Sequence, residues 1–471
     1  MAGSAAAGWS VTGTSASRGS DATAKSPLIP LALAQFICSF AGSNMNVMIN
    51  DIGEDLDTTV QGVQGTITLF LLIMAVLMIP CSKLTDRWGR KRCFLAGLIL
   101  YGIGALISAL SPSLAVLIVG NSVFEGVGTA LLIPPVYILA TMAFDNIQSR
   151  ARAFGLISGM GGVGAAAGPL IGGSIATAID WRAAFVFQAL VVLVIVRFSR
   201  RIADPVAPDP TRPFDAAGAV LSAIGMFLVV FGILQAGSDA ALMAALLIAG
   251  AGFLIWFFLH IRSRERAGKE PLLTTGLFRN RTSNLGLVTQ NMQWLVLMGT
   301  SFVVAVFLQT VRGYNAIETG VIFTSATVGV LLTSLAAERL SRKHSQKALI
   351  SSGFVMTVAG IGVLLALVGA SSRVVAFAPG LLLIGLGVGV MLTPSVNVVQ
   401  SSFPEVQQGE ISGLSRSVSN LGSSFGTAIA GTILISGLAE GNRSYALAMI
   451  ALGIFALVGL AAAIRLPAGR G

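Results

Sequence analysis

Glu125 lies inside a long, mostly apolar stretch of residues 114–143. A carboxylate ion is costly in hydrocarbon, so such an acid is held neutral when closed off and ionises when water reaches it. Placed where access to water alternates, it can take a proton from one side and release it to the other. At about 1.5 Å per helical residue, Glu125 sits roughly 16 Å along the stretch, close to the middle of a bilayer core of roughly 30 Å. Asn121, four residues earlier, shares its helix face. The competing reading is a neutral acid hydrogen-bonded to a neighbouring helix.

A second concentration of chemistry is "SKLTDRWGRKR", residues 82–92, where Lys83, Lys91, Arg87, Arg90, Arg92 and Asp86 crowd between two apolar segments. Positive charge there is explained by topology alone, since basic residues gather on the cytoplasmic side of membrane proteins. Asp86 and Gly89 are not so explained; Asp86 suits pairing with arginines at nearby helix ends, and Gly89 a sharp turn. Polar residues inside apolar runs complete the inventory: Asn44, Asn46, Gln290, Gln293, Trp294, Asn397, Arg416 and Asn420. Each is a candidate for lining a cavity, although most side chains of this kind hold helices together. Arg416 suits either an anionic ligand group or snorkelling to the surface.

The elements that must position these residues follow from composition. The 471-residue chain is 54% hydrophobic and 11% charged, with mean hydropathy +0.84, against roughly a quarter charged residues in soluble domains. Its apolar runs do not alternate as barrel strands would, which predicts an all-α polytopic membrane protein. Fourteen spans are expected: 28–50, 62–82, 93–111, 114–143, 152–178, 183–198, 216–236, 240–259, 284–309, 317–337, 347–369, 373–396, 410–436 and 444–464. With both termini cytoplasmic, only Arg182, Arg312, Arg373 and Arg443 of the 30 Lys and Arg fall outside, an asymmetry that orients the chain. The net charge of +10 is thereby assigned to topology, with no nucleic-acid partner. Residues 1–27 are expected to be a disordered cytoplasmic tail.

Gly155, Gly164 and Gly168 recur as Gly413, Gly422 and Gly426, each pair 258 residues apart, and "GVGTALLIPP" near residue 130 resembles "GVGVMLTPS" about 260 residues on. A common offset predicts two copies of one unit, as in many secondary transporters. The expected organisation is a six-helix bundle at 28–198, a cytoplasmic linker at 199–215, two inserted helices at 216–259, a second linker at 260–283, a second six-helix bundle at 284–464 and a tail at 465–471.

These motifs resemble a known family. "KLTDRWGRKR" is similar to the signature between helices 2 and 3 of the major facilitator superfamily, and "GVGAAAGPLIGG" (162–173) to the antiporter motif of its drug:proton exporters. "WRAAF", "FDAAG" and "PLLTTGLFRNRTSN" resemble the fourteen-span branch. The resemblance, covering residues 28 to about 464, implies the major facilitator fold, two pseudo-symmetric six-helix bundles plus two inserted helices. It implies a cytoplasmic latch at Asp86, Arg87, Gly89 and Arg90, and export by antiport through Gly164, Gly168, Pro169, Gly172 and Gly173. From the residues alone, Gly164, Gly168 and Gly172 share one face fit for close packing, and Pro169 removes a backbone donor and should kink the helix. Departures are Ser82 for the first Gly of the signature, Arg342 for its Asp in the second half, Ser122 for the Arg and Glu125 for the Gln of the fourth helix, and Ala41 for the Asp of the first.

"GMGGVG" (159–164) with Asp180 fits a dinucleotide fingerprint in letters only, because no strand precedes it. His260 and His344 have no accompanying Cys or metal-ligand spacing, Cys38, Cys81 and Cys93 form no disulfide framework, and no P-loop is present. The expectation is a monomeric transporter, not an enzyme, with no cofactor or metal, whose partners are a small molecule, protons and the lipid bilayer of the plasma or inner membrane. Its cargo is expected to be hydrophobic or amphipathic, including drugs, with a specific endogenous lipid or metabolite as the alternative.

Overall fold

The structure is a computed structural model describing residues 28–143, 147–200, 202, 208–235, 239–370, 374–404, 407–435 and 442–467. Among these, all regular structure is helical. The first half comprises α1 (Leu28–Asn44), α2 (Val60–Trp88), α3 (Arg90–Ala109), α4 (residues 114–143), α5 (Ile147–Ala178) and α6 (Trp181–Ser199). An inserted pair follows, α7 (Ala216–Leu234) and α8 (Ala240–Arg266). The second half comprises α9 (Arg281–Val306, continuing to Val311), α10 (Ala316–Lys343), α11 (Gln346–Ala370), α12 (Ala378–Gln400), α13 (Gln408–Ile435) and α14 (Asn442–Ile464). The tail expected at 1–27 lies outside the described residues, as do Arg373 and parts of the linker at 199–215 and of the tail at 465–471.

Helix starts follow local chemistry. Thr59, Asp180, Asp215, Asp239 and Asn280 each accept a bond from a backbone N–H in the first turn of α2, α6, α7, α8 and α9. Asn315 and Glu318 form a reciprocal capping box on α10. The charged patch at 82–92 is not a loop, contrary to the boundary expected at residue 82. α2 runs on to Trp88, α3 starts at Arg90, and Gly89 alone joins them at φ 96°, a conformation costly for residues with a Cβ.

The two halves share one packing scheme. α1 packs on α5, α3 on α4 and on α6 in the first half; α9 on α13, α11 on α12 and on α14 in the second. Between halves, α5 meets α10 and α2 meets α13, again as equivalent pairs. The repeated glycines explain the match. A Cβ on Gly164 would fall 2.3 Å from the Phe36 carbonyl oxygen of α1, and one on Gly422 2.3 Å from the Asn291 carbonyl oxygen of α9. Gly168 abuts Ser43 and Phe40, and Gly426 abuts Leu295. Small residues here let backbones touch.

Among the described residues, thirteen helices are long and apolar enough to cross a membrane. The remaining expected span, α13, forms as a 28-residue helix, Gln408–Ile435, rich in serine. Its serines face protein. Ser417 Oγ donates to Ala75 O and Ser424 Oγ to Thr68 O, both on α2, while Ser419 and Ser423 bond back to the preceding turn of α13. An interior span needs no lipid-compatible face. On the outside, Ile103, Leu106, Leu193, Ile255 and Leu457 are exposed, as a hydrocarbon solvent requires. α8 is the least enclosed span, burying only Gly250, Phe257 and Ile261.

Candidate functional site: a central cavity closed at both ends

Between the halves lies a narrow cavity of about 30 Å³, room for a water or two. Gln35, Cys38 and Ser39 of α1 and Leu71 and Met74 of α2 form one wall; Trp294 and Met298 of α9 with Arg416, Asn420 and Ser423 of α13 form the other. Of the candidate cavity residues, Trp294, Arg416 and Asn420 line it. Gln290 and Gln293 are buried in the second half instead. Gln290 donates to Ser395 O and accepts from Ser415, and Gln293 accepts from Ser395 Oγ. Asn397 is half-buried near the end of α12. Asn44 and Asn46 are wholly buried where α1 gives way to a 3₁₀ turn, their side-chain polar atoms without hydrogen-bond partners, and Gly172 packs against Asn44.

Glu125 does not face this cavity. Its backbone ends a π-helical segment, Ile118–Glu125, within α4, a distortion frequent at functional sites. The side chain is 0% exposed and points into the first half, where Ser108 Oγ and Asn121 Nδ2 each approach a carboxyl oxygen at 3.4 Å. Tyr101 also meets the carboxyl, and donates to Ile37 O and to Gln188 Oε1. Cys38 lines the cavity and lies on the side towards Glu125. Glu125 is thus buried behind the cavity wall. Sequence spacing predicted its burial and its Asn121 neighbour, but not Tyr101 or Ser108, which arrive from α3.

The cavity's fixed charge is Arg416. It is 6% exposed, its guanidinium stacks 4.1 Å from the Tyr137 ring centre, and its Nε and Nη2 have no hydrogen-bond partner. Tyr137 in turn donates to Gln35 Oε1 at 3.2 Å.

At the end bearing residues 82–92, Asp86 accepts from Arg90 at 2.8 Å and from Arg212, ahead of α7, at 3.0 Å. Both partners lie outside the second half. Contact across the halves is made one turn earlier, where Ser82 Oγ donates to Gly409 O at 2.7 Å and Lys83 pairs with Glu410. The other Glu410 oxygen accepts from the N–H and hydroxyl of Thr274, in the segment joining α8 to α9. Lys83 and Glu410 are 327 residues apart, and no local pattern marks them. Ser82, a departure from the resembled signature, fills the space that Gly413 leaves open.

The opposite end is closed by a different set. Gln309 Nε2 donates to Asn46 O at 2.8 Å, and Asn50 Nδ2 donates to Gln309 O at 3.2 Å. A Cβ on Gly173 would fall 2.2 Å from Ala316 O, and Gly320 abuts Pro169, so this part of the glycine motif packs on α10. α5 continues through Pro169 without interruption. Nearby, Arg182 pairs with Asp55 at 2.6 Å, and Trp181 Nε1 donates to the same carboxylate. The Arg182 hydrogen bond holds the Asp55 carboxyl below its ordinary range.

A helical bundle of two related halves, with a cavity between them and separate closures at its ends, defines a multi-pass membrane transporter. The chain matches the Major Facilitator Superfamily over residues 31–427 and again over 287–470, and it belongs to that family. It is 26% identical over 415 residues to "Multidrug resistance protein Stp" of Mycobacterium tuberculosis (strain CDC 1551 / Oshkosh), covering 87% of this chain and 76% of that protein. It is 25% identical over 403 residues to "Riboflavin transporter RibZ" of Clostridioides difficile (strain 630), covering 85% and 86%. Among solved structures, a mutant of the peptide transporter POT in complex with sulfate matches with TM-score 0.65 at 17% identity, covering 94% of this chain and 96% of that one, a likeness of fold. The protein is a transporter and not an enzyme.

Proposed function

We propose that this protein exports hydrophobic or amphipathic small molecules from the cytoplasm by alternating access, in exchange for protons, with residues 82–92 facing the cytoplasm. The observation that supports this best is the pair of dissimilar closures across the halves, Lys83–Glu410 with Ser82 at one end and Gln309 with Asn46 and Asn50 at the other. Each closes the same cavity, and breaking either one opens it to one side. Proton exchange rests on Glu125, an acid buried one layer behind the cavity wall. Opening that wets the Cys38 face brings water towards Glu125, and closure excludes it, so its charge state follows the transport cycle. Asp86 and Arg90 brace the α2–α3 turn and tie it to Arg212.

The resistance protein of M. tuberculosis among the relatives favours drug export. The riboflavin transporter of C. difficile favours the alternative of one specific metabolite. Uptake of a fluorescent drug into inside-out vesicles with an imposed proton gradient tests the proposal. Native protein concentrates the drug, and Glu125→Gln loses gradient-driven accumulation while still exchanging drug down its own gradient. Accumulation that survives collapse of the gradient overturns proton exchange. Normal accumulation by Glu125→Gln assigns that acid a structural part.

A further inference from the structure

Arg416 presents a buried cation with no anion opposite it. No Asp or Glu lines the cavity among the described residues, and the guanidinium lies over the Tyr137 ring, 4.1 Å from its centre. The two nitrogens without partners, Nε and Nη2, form the edge by which a guanidinium takes a carboxylate, sulfonate or phosphate through two parallel bonds. Burying a charge without its counter-charge is costly, and snorkelling does not relieve it here, because the side chain is 6% exposed. Gln35, although on the lining, gives these nitrogens no bond; its Oε1 accepts from the Tyr137 hydroxyl and its Nε2 donates to Ser39. Leu71 and Met74 on the facing wall and Trp294 and Met298 on its own wall supply apolar surface beside the cation.

Resting on the transport reading above, we infer that the cavity takes an amphipathic anion, an aromatic or apolar body bearing one carboxylate, sulfonate or phosphate that docks on the Nε–Nη2 edge of Arg416. The anion enters when one end opens, since the closed cavity holds only a water or two. Closure around an anion is then favoured over closure around an empty cavity, because the ligand supplies the missing counter-charge. Asn420 and Ser423, on the same wall, offer further hydrogen bonds to the acidic group.

Three dyes of similar size separate charge from shape: anionic fluorescein, cationic rhodamine 123 and a neutral boron-dipyrromethene. Fluorescence polarisation measures their binding to the full-length protein in nanodiscs, and efflux from proteoliposomes measures their transport. Native protein is expected to bind fluorescein at least about tenfold more tightly than rhodamine 123. Arg416→Gln removes that preference and leaves the neutral dye bound as before, which also shows that the variant is folded. Arg416→Lys keeps the charge without the fork and retains part of the preference. Tyr137→Phe keeps the stacked ring and leaves the preference intact. Equal binding of the two charged dyes by native protein, preference for the cation, or fluorescein binding unchanged in Arg416→Gln overturns the inference. Efflux of the neutral or cationic dye in any of those cases leaves the transport reading standing, whereas failure to move all three counts against that reading too.

Discussion

Lys83 and Glu410 form a partly buried ion pair across the halves at the basic end, with Thr274 holding the second carboxylate oxygen. A charge-assisted bond in this setting contributes on the order of 1–2 kcal/mol. Lys83→Ala or Glu410→Ala should therefore shift the population towards opening at that end by roughly five- to thirtyfold. The measurement is the maleimide labelling rate of Ser39→Cys in the cavity wall, on a background in which Cys38, Cys81 and Cys93 are replaced by Ala, since Cys38 lines the same cavity. Faster labelling in each single variant and native rates in the charge-swapped Lys83→Glu/Glu410→Lys pair are expected. Unchanged labelling in all of them would remove the gate role. Asp86 and Arg90 stood out in the sequence because an acid among bases is conspicuous locally. Lys83 did not, because its partner is distant in the chain and only folding brings the two together.

Helices of this protein approach one another where glycine leaves room, and α13 shows how a serine-rich helix is accommodated among protein neighbours. It spans the bundle with serines every turn or two because α2 and α9, not lipid, surround it. The 258-residue glycine offset was readable in the sequence. That the offset reflects the α1–α5 contact repeated as α9–α13 became clear from coordinates, since a glycine does not say which carbonyl it faces. Gly164→Ala is expected to cost about 1–3 kcal/mol, as an overpacked contact does, and to lower the melting midpoint in detergent by several degrees. Gly426→Ala, with its Cβ position 2.2 Å from Leu295 O, should behave alike. Gly252→Ala, on the exposed side of α8 with nothing within 4 Å, should be neutral or gain up to about 1 kcal/mol in helix propensity. Equal effects at Gly164 and Gly252 would refute the close-approach account.

At the scale of the whole molecule, the inserted pair α7–α8 is fastened to the rest through Asp215, which is 3% exposed. Its carboxylate caps α7 through Gly218 N–H, meets His260 Nε2 at 3.0 Å and Arg264 at 3.5 Å on α8, and accepts from Leu272 N–H in the segment leading to Thr274 and the Lys83–Glu410 pair. Burial pushes this carboxyl up, but the bonds from Gly218, His260 and Leu272 outweigh it and hold it below its ordinary value. A depressed carboxyl stabilises the fold above its unfolded value of about 4, and that contribution fades as pH falls through the lower, folded value. Asp215→Asn should accordingly be less stable than native protein at pH 7, with the gap closing below about pH 4, as read by thermal unfolding across pH. A gap constant with pH would leave Asp215 as a neutral cap only. The same chain of bonds connects the inserted helices to the gate, so Asp215→Asn should also raise Ser39→Cys labelling.

By itself the sequence determined the class of molecule, the order of its helices, its repeat and the burial of Glu125. These depend on hydropathy runs, helix period and fixed offsets, which are local or strictly periodic properties of the chain. Tertiary structure decided which charge faces the cavity. Glu125 and Arg416 both read as intramembrane ions in the sequence, yet the first turns into the α1–α3–α4 interior and the second into the space between halves. That choice follows from the rotation of each helix about its axis, which its neighbours set through packing and which no single helix encodes.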